Sequence, residues 1–293
     1  MHKLGIFMNF WEKQWGADHV KYLKKARDIG FDILEFQAQP LLEMSNERLL
    51  EIKKASEEYG IEMTYSLGLD PAYDLASVDP AIRAKGIVYL TEILKKIAFL
   101  DGKILSGVNY AGWGIPKDEP IDKAALTANS VESVKKLAHV AEDLGITYAV
   151  EVVNRFEGVV LNTAAQAVDY VKAVDCKNVG ILLDTYHMNI EEPSFRDAIL
   201  AAGPYLVGMH TGENNRTIPG RGHLPWDEIF GALRDVNFTG RIVSEPFVMA
   251  GGEVGRAICT WADLQPDTSE AALDASAREL VAFERSMLTK YFG

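Results

Sequence analysis

Two cysteines, Cys176 and Cys259, are the only thiols in this chain. That count is too low for a disulfide framework. Neither has a second cysteine at metal-site spacing, so a stapled secreted scaffold and a thiolate zinc site are both excluded. Basic charge is also scarce: 30 Lys and Arg stand against 42 Asp and Glu, a formal net charge of −12. Such a surface repels phosphate backbones, and no concentrated basic patch offsets it, so no nucleic-acid partner is expected. Apolar runs break well before the roughly 20 residues that a bilayer crossing takes. Residues 4–8 are apolar, but they are too few for a signal-peptide core and lead straight into Trp11-Glu12-Lys13-Gln14. The expectation is a protein without membrane association, in the reducing cytoplasm. A glycine-rich phosphate loop is missing as well. Pro219-Gly220-Arg221-Gly222-His223 lacks the GxGxxG spacing and follows no strand directly, so no nucleotide cofactor is expected.

What is present is a rhythm. Of the 293 residues, 48% are hydrophobic, and short β-branched or aromatic runs alternate with longer amphipathic ones from end to end. Strands are expected at 4–9, 33–37, 61–67, 104–108, 148–152, 179–183, 206–210 and 241–245. Helices are expected at about 17–29, 46–59, 80–99, 124–144, 163–174, 193–202, 226–236 and 269–289. In the helix at 124–144, Val131, Val134, Leu137, Ala138, Ala141 and Leu144 recur at three- and four-residue steps. Asp79 before Pro80 reads as a helix start, and Gly30, Gly60 and Gly145 as helix stops. No linker interrupts the pattern. The expected fold is α/β, a closed (β/α)8 TIM barrel forming one domain over 1–293, in preference to an open doubly wound sheet.

Chemistry gathers where the strands end. Gly180-Ile181-Leu182-Leu183 runs into Asp184-Thr185-Tyr186-His187, and the runs before Glu151, His210 and Glu245 have the same shape. The separations of 33, 26 and 35 residues are each one βα unit. One acid at a strand end can simply cap a helix or join a surface ion pair, but four consecutive strands ending this way in a barrel converge on one point. Three carboxylates and an imidazole suit Mn2+, Co2+ or Mg2+ better than a structural zinc. An ion held by a sugar's carbonyl and adjacent hydroxyl would acidify the intervening C–H. Glu151 and Glu245, from strands that are not neighbours, could then stand on opposite faces of that carbon, one removing a proton and the other returning one.

Longer strings then become recognisable: Glu151-Val152-Val153-Asn154-Arg155-Phe156-Glu157, Leu183 to Glu192, His210-Thr211-Gly212-Glu213, Arg216 with Pro219 to Gly222, and Glu245-Pro246-Phe247. In these the chain resembles the ketose 3-epimerase family, the D-tagatose and D-psicose 3-epimerases, within the xylose-isomerase-like barrels. The resemblance runs from Gly5-Ile6 through Gly251-Gly252. It implies metal-dependent epimerisation of free ketohexoses or ketopentoses at C3 through an enediolate, of the D-psicose/D-fructose or D-tagatose/D-sorbose type. It implies Mn2+ or Co2+, less so Mg2+, on Glu151, Asp184, His210 and Glu245, with Glu151 and Glu245 as acid and base. It implies Glu157, His187 and Arg216 around the sugar's C1 to C3 oxygens, Trp113 on its apolar face, and a homodimer or homotetramer.

There are departures. Phe7 stands where many relatives have tyrosine, and Ser66-Leu67-Gly68 and Ser106-Gly107-Val108-Asn109 differ from commoner glycine-rich strings. Phe7 and Ser66 are therefore expected on the sugar-facing wall, where they bear on preference. An aldose–ketose isomerase of the same fold is the nearest alternative; it often uses a second metal, for which no further ligand set is evident. A multi-zinc endonuclease sits poorly with six histidines and the net charge of −12. A sugar-binding protein without activity would leave the four aligned ligands with no purpose. Gly251 to Gly255 reads as a loop without an assigned role.

Overall fold

The computed structural model describes residues 2–116 and 120–293. Eight parallel strands close on themselves in chain order: β1 (Leu4–Phe7), β2 (Ile33–Gln37), β3 (Glu62–Gly68), β4 (Ile104–Val108), β5 (Thr147–Glu151), β6 (Val179–Asp184), β7 (Leu206–Thr211) and β8 (Arg241–Ser244). Around them lie α1 (His19–Ile29), α2 (Asn46–Tyr59), α3 (Pro80–Phe99), α4 (Lys123–Asp143), α5 (Ala164–Val174), α6 (Thr185–Glu191), α7 (Phe195–Ala202), α8 (Trp226–Asp235), α9 (Gly252–Ala257) and α10 (Glu270–Phe292). The expected (β/α)8 barrel is the observed one. Among the described residues no helix is long and apolar enough to cross a membrane.

Local signals explain the boundaries. Asp79 caps α3 by accepting from the Ala81 N–H at 2.8 Å, and Pro80 occupies the first turn, where a missing N–H costs nothing. Gly30, Gly60 and Gly145 take the positive φ that closes a helix before the next strand. On α4 the anticipated stripe of Val134, Leu137, Ala138 and Ala141 is buried.

Three details depart from the sequence reading. β1 stops at Phe7 and turns through a short 3-10 segment, Met8–Phe10. Asp184 caps an additional helix, α6, through the Tyr186 N–H at 2.6 Å. The glycine segment after β8 is largely helical, as α9, because Gly251 and Gly252 supply the positive φ that turns the chain into it.

Register sets the inside of the barrel. Side chains alternate along a strand, so partners across the ladder and residues two apart share a face. Glu151 lies opposite Leu182, Asp184 opposite His210, and His210 opposite Val243. Stepping by two places Glu151, Asp184, His210 and Glu245 on the inner face together. Beneath them Ile104, Ala149 and Leu182 form a small apolar plug. The inward positions thus change from apolar to ionisable toward the strands' C-terminal ends, as Ala149 to Glu151, Leu182 to Asp184 and Val243 to Glu245. The larger core lies between the strands and the helices.

α10 closes against the last strands through a polar contact. Glu284 is fully buried, and its Oε2 accepts from Ser244 Oγ at 2.9 Å, while Ser244 Oγ and Thr211 Oγ1 lie 3.0 Å apart. Burial raises the Glu284 carboxyl to about 7, against the pull of those hydroxyls. The folded state therefore holds this proton more tightly than the unfolded chain, so the stabilisation is complete below the ordinary pKa of 4.5 and fades as pH rises through about 7. Glu284→Gln should raise thermal stability relative to wild type at pH 8, by an amount on the order of 3 kcal/mol at most, with little change at pH 4. Melting curves at the two pH values check this; an equal shift at both contradicts it.

Candidate active site

Glu151, Asp184, His210 and Glu245 each bring one ligand atom to within 4.8 Å of all the others. Three come from the ends of β5, β6 and β7, and Glu245 is the residue just past β8. Its backbone N–H donates to the Thr211 carbonyl at 2.8 Å, which holds it to β7 beyond the regular ladder. His210 is completely buried; its Nδ1 lies 3.5 Å from Glu151 Oε1 and 3.8 Å from Glu245 Oε1, yet makes no hydrogen bond. Burial disfavours a charged imidazole, but Glu35, Glu245 and Glu151 overcome it and push His210 well above its usual pKa. Burial raises the Glu245 carboxyl far above the carboxylate range, with Glu151 and Asp184 adding to the rise and His210 and Arg216 opposing it. Acidic oxygens crowded around an unpartnered imidazole nitrogen call for a cation. A divalent ion fits this donor set, and its charge leaves one excess negative unit among the three carboxylates.

Above the cluster opens a pocket of about 460 Å³, mouth included, within the range of small-ligand sites. Glu151 and Glu245 reach it from below, and Glu157, His187 and Arg216 line one side. The His187 Nδ1 accepts from the Asn154 backbone N–H at 3.2 Å and lies 2.7 Å from Asn154 Nδ2. A backbone N–H can only donate, so the ring's proton sits on Nε2, which lies 3.8 Å from Glu151 Oε1. His187 is thereby set to donate into the pocket. Arg216 Nη2 donates to Glu157 Oε1 at 2.7 Å, and Asn154 Nδ2 donates to the same oxygen at 3.1 Å. Burial would raise Glu157, but Arg216 and His187, with those hydrogen bonds, bring it down to about 2. It is a fixed anion.

Arg216 is held firmly. Its φ of +61° is the left-handed region, its N–H donates to the Glu213 carbonyl at 2.9 Å, and its carbonyl accepts from the Phe247 N–H at 2.9 Å. The guanidinium lies 4.0 Å from the Tyr186 ring centre and 5.3 Å from that of Phe247. Its Nε, buried, has no partner and remains a donor.

The other wall is apolar. Phe7 meets Phe247 edge-on at 5.8 Å, with Trp15, Val254 and Ile258 around them. Trp113 lies against β3, and a Cβ on Gly68 would come within 2.6 Å of its indole, so only glycine leaves room for the ring. Ser66 lines the floor beside Gln37. The structure thus gathers Phe7, Ser66, Trp113, Glu151, Glu157, His187, Arg216 and Glu245 around one pocket, with Asp184 and His210 beneath. Sequence reasoning passed over Asn154, Tyr186 and Phe247, all inside the strings it quoted, because their work is to hold His187 and Arg216. It also passed over Glu35, although a charged residue within Ile33-Leu34-Glu35-Phe36 is a visible anomaly.

Comparisons with known proteins agree with this geometry. Residues 23–277 match the xylose isomerase-like TIM barrel family. The chain is 44% identical to a D-psicose 3-epimerase of Agrobacterium fabrum over 286 residues, covering 98% of this chain and 99% of that one. It is 36% identical to a ketose 3-epimerase of Arthrobacter globiformis, covering 94% of each. The crystal structure of a D-psicose 3-epimerase from Clostridium cellulolyticum H10 with D-tagatose superposes with a TM-score of 0.96 at 43% identity, over 98% of this chain and 99% of that one. By sequence along almost its whole length, and by fold, the chain belongs to the ketose 3-epimerases of the xylose isomerase-like TIM barrel family.

Proposed function

We propose that this single-domain chain interconverts free ketoses differing at C3, of the D-psicose/D-fructose or D-tagatose/D-sorbose type, with ketopentoses as further substrates. The observation that carries the reading is that Glu151 at the end of β5 and Glu245 just past β8, strands that are not neighbours, reach the same cluster of ligand atoms, one that suits a divalent ion. Glu151, Asp184, His210 and Glu245 are the proposed ligands. Their three oxygens and one nitrogen favour Mn2+, with Co2+ close and Mg2+ less suited. When bound, such an ion polarises the ketose carbonyl and its neighbouring hydroxyl and lowers the pKa of the C3 hydrogen.

The protein's own groups do the rest. One glutamate takes the C3 proton and the other delivers a proton to the opposite face, which inverts that carbon. His187 donates from Nε2 to an oxygen on which negative charge grows. Glu157 accepts from sugar hydroxyls, and Arg216, braced by Glu157 and the Tyr186 ring, offers Nε and its remaining N–H groups. Phe7 and Trp113 cover the apolar side of the sugar, and Ser66 supplies a hydroxyl near its distal end. A homodimer or homotetramer in the cytoplasm is the proposed working form; Phe156 and Trp261, both largely exposed, offer apolar surface for contact between copies.

Chromatographic separation of products from a panel of ketohexoses and ketopentoses tests the reaction. The expected products are 3-epimeric ketoses; an aldose would instead indicate isomerisation between C1 and C2. EDTA should abolish activity and Mn2+ restore it. Glu151→Gln and Glu245→Gln should each lower kcat by at least a thousandfold, and near wild-type turnover in either would sink the two-face mechanism. Phe7→Tyr adds a hydroxyl worth about 0.5–1.5 kcal/mol. A few-fold change in relative kcat/KM among D-psicose, D-tagatose and D-fructose is expected, and unchanged ratios would show that position 7 does not set preference.

A further inference from the structure

One layer below the sugar pocket, the inner face of β2 carries a carboxylate for which the proton transfers have no use. Glu35 is 2% exposed and sits among the apolar residues of β2. A carboxylate at that depth is costly unless its oxygens meet donors or a positive charge. Oε2 accepts from Thr64 Oγ1 of β3 at 2.8 Å and from Ser106 Oγ of β4 at 3.4 Å. Oε1 lies 2.8 Å from His210 Nε2 across the barrel, an ion-pair distance without hydrogen-bond alignment, and neither atom has a hydrogen-bond partner. The opposite ring nitrogen, Nδ1, is the one that faces Glu151 and Glu245.

This order of groups, carboxylate then imidazole then a cluster of acids, has a definite chemical sense. Two unprotonated acceptors 2.8 Å apart would repel, so a proton belongs on Nε2 beside Glu35, and Nδ1 is then the nitrogen free to bind an ion; the other tautomer would turn a hydrogen toward the place of the ion. The hydroxyls of Thr64 and Ser106 keep Glu35 from turning away. Residues of three strands therefore bear on one ring of a fourth.

We propose that Glu35, backed by Thr64 and Ser106, is a positioning residue for the metal centre, holding the Nε2 edge and orientation of His210 so that Nδ1 is the nitrogen turned toward the place of the ion. The inference rests on the reading of Glu151, Asp184, His210 and Glu245 as ligands. Glu35 does not line the sugar pocket, so its effect falls on metal affinity and not on sugar binding.

Calorimetric titration of metal-free protein with Mn2+ tests this. Glu35→Gln keeps the shape and removes the charge, and should weaken Mn2+ binding by about 10- to 100-fold, the usual effect of losing such a partner. Thr64→Val, which leaves every charge in place, should weaken it a few-fold. In both variants excess Mn2+ should restore kcat, with KM for D-fructose within twofold of wild type, a recovery that general structural damage does not show. If Glu35→Gln fails to fold by circular dichroism, Thr64→Val carries the test alone. Mn2+ affinity within twofold of wild type in the folded variants, or a kcat loss that excess Mn2+ does not repair, overturns the proposal while leaving the ligand reading intact. Wild-type protein that binds no Mn2+ overturns both.

Discussion

Three carboxylates and a histidine are withdrawn from water together at one mouth of the barrel, and the rest of the site answers that concentration of negative charge. Left alone, acids within 4.8 Å of one another and withdrawn from water repel strongly, and burial drives Glu245 to keep its proton. A divalent cation relieves the repulsion without removing the acids. The remaining excess charge leaves the site basic, and basicity is what removal of a proton from carbon demands. The same feature that makes the cluster costly to fold makes it reactive.

Around this centre the roles separate by depth. The proposed ligands lie deepest, Asp184 and His210 beneath the pocket and Glu151 and Glu245 at its base, and Glu35 approaches His210 from behind. At pocket level, Asn154 fixes the His187 tautomer while Glu157 and Tyr186 hold Arg216, so the donors facing a substrate are held in place before it arrives. Pre-set donors of this kind need little reorganisation when charge develops on a sugar oxygen. The opposite wall of Phe7, Phe247 and Trp113 offers surface but few hydrogen bonds. Reaction type therefore resides on the polar side, and sugar preference has most room to vary on the apolar side.

How much of this could be read from the sequence follows the same division. The barrel was legible because strand and helix periods alternate without interruption, and because Asp79 and the stops at Gly30, Gly60 and Gly145 act through local backbone physics. The four ionisable strand ends stood out because each interrupts an apolar run at a βα interval. Less legible were residues whose partners are distant in the chain. Glu35 meets Thr64, Ser106 and His210 only through register, and Tyr186 meets Arg216 only when α6 and the loop after β7 come together. The short helices α6 and α9 lay hidden for another reason: each is too brief to show a periodic apolar face, and only Asp184 as a cap and Gly251-Gly252 as a turn mark where they begin.

The most direct test of the two-face account is the fate of the hydrogen on C3. When the enzyme acts on D-fructose in D2O and the 3-epimer is isolated early, the account predicts one deuterium at C3 and none at C1, because the glutamate that returns a proton is not the one that removed it. Product free of deuterium at C3, or labelled at C1, would contradict it.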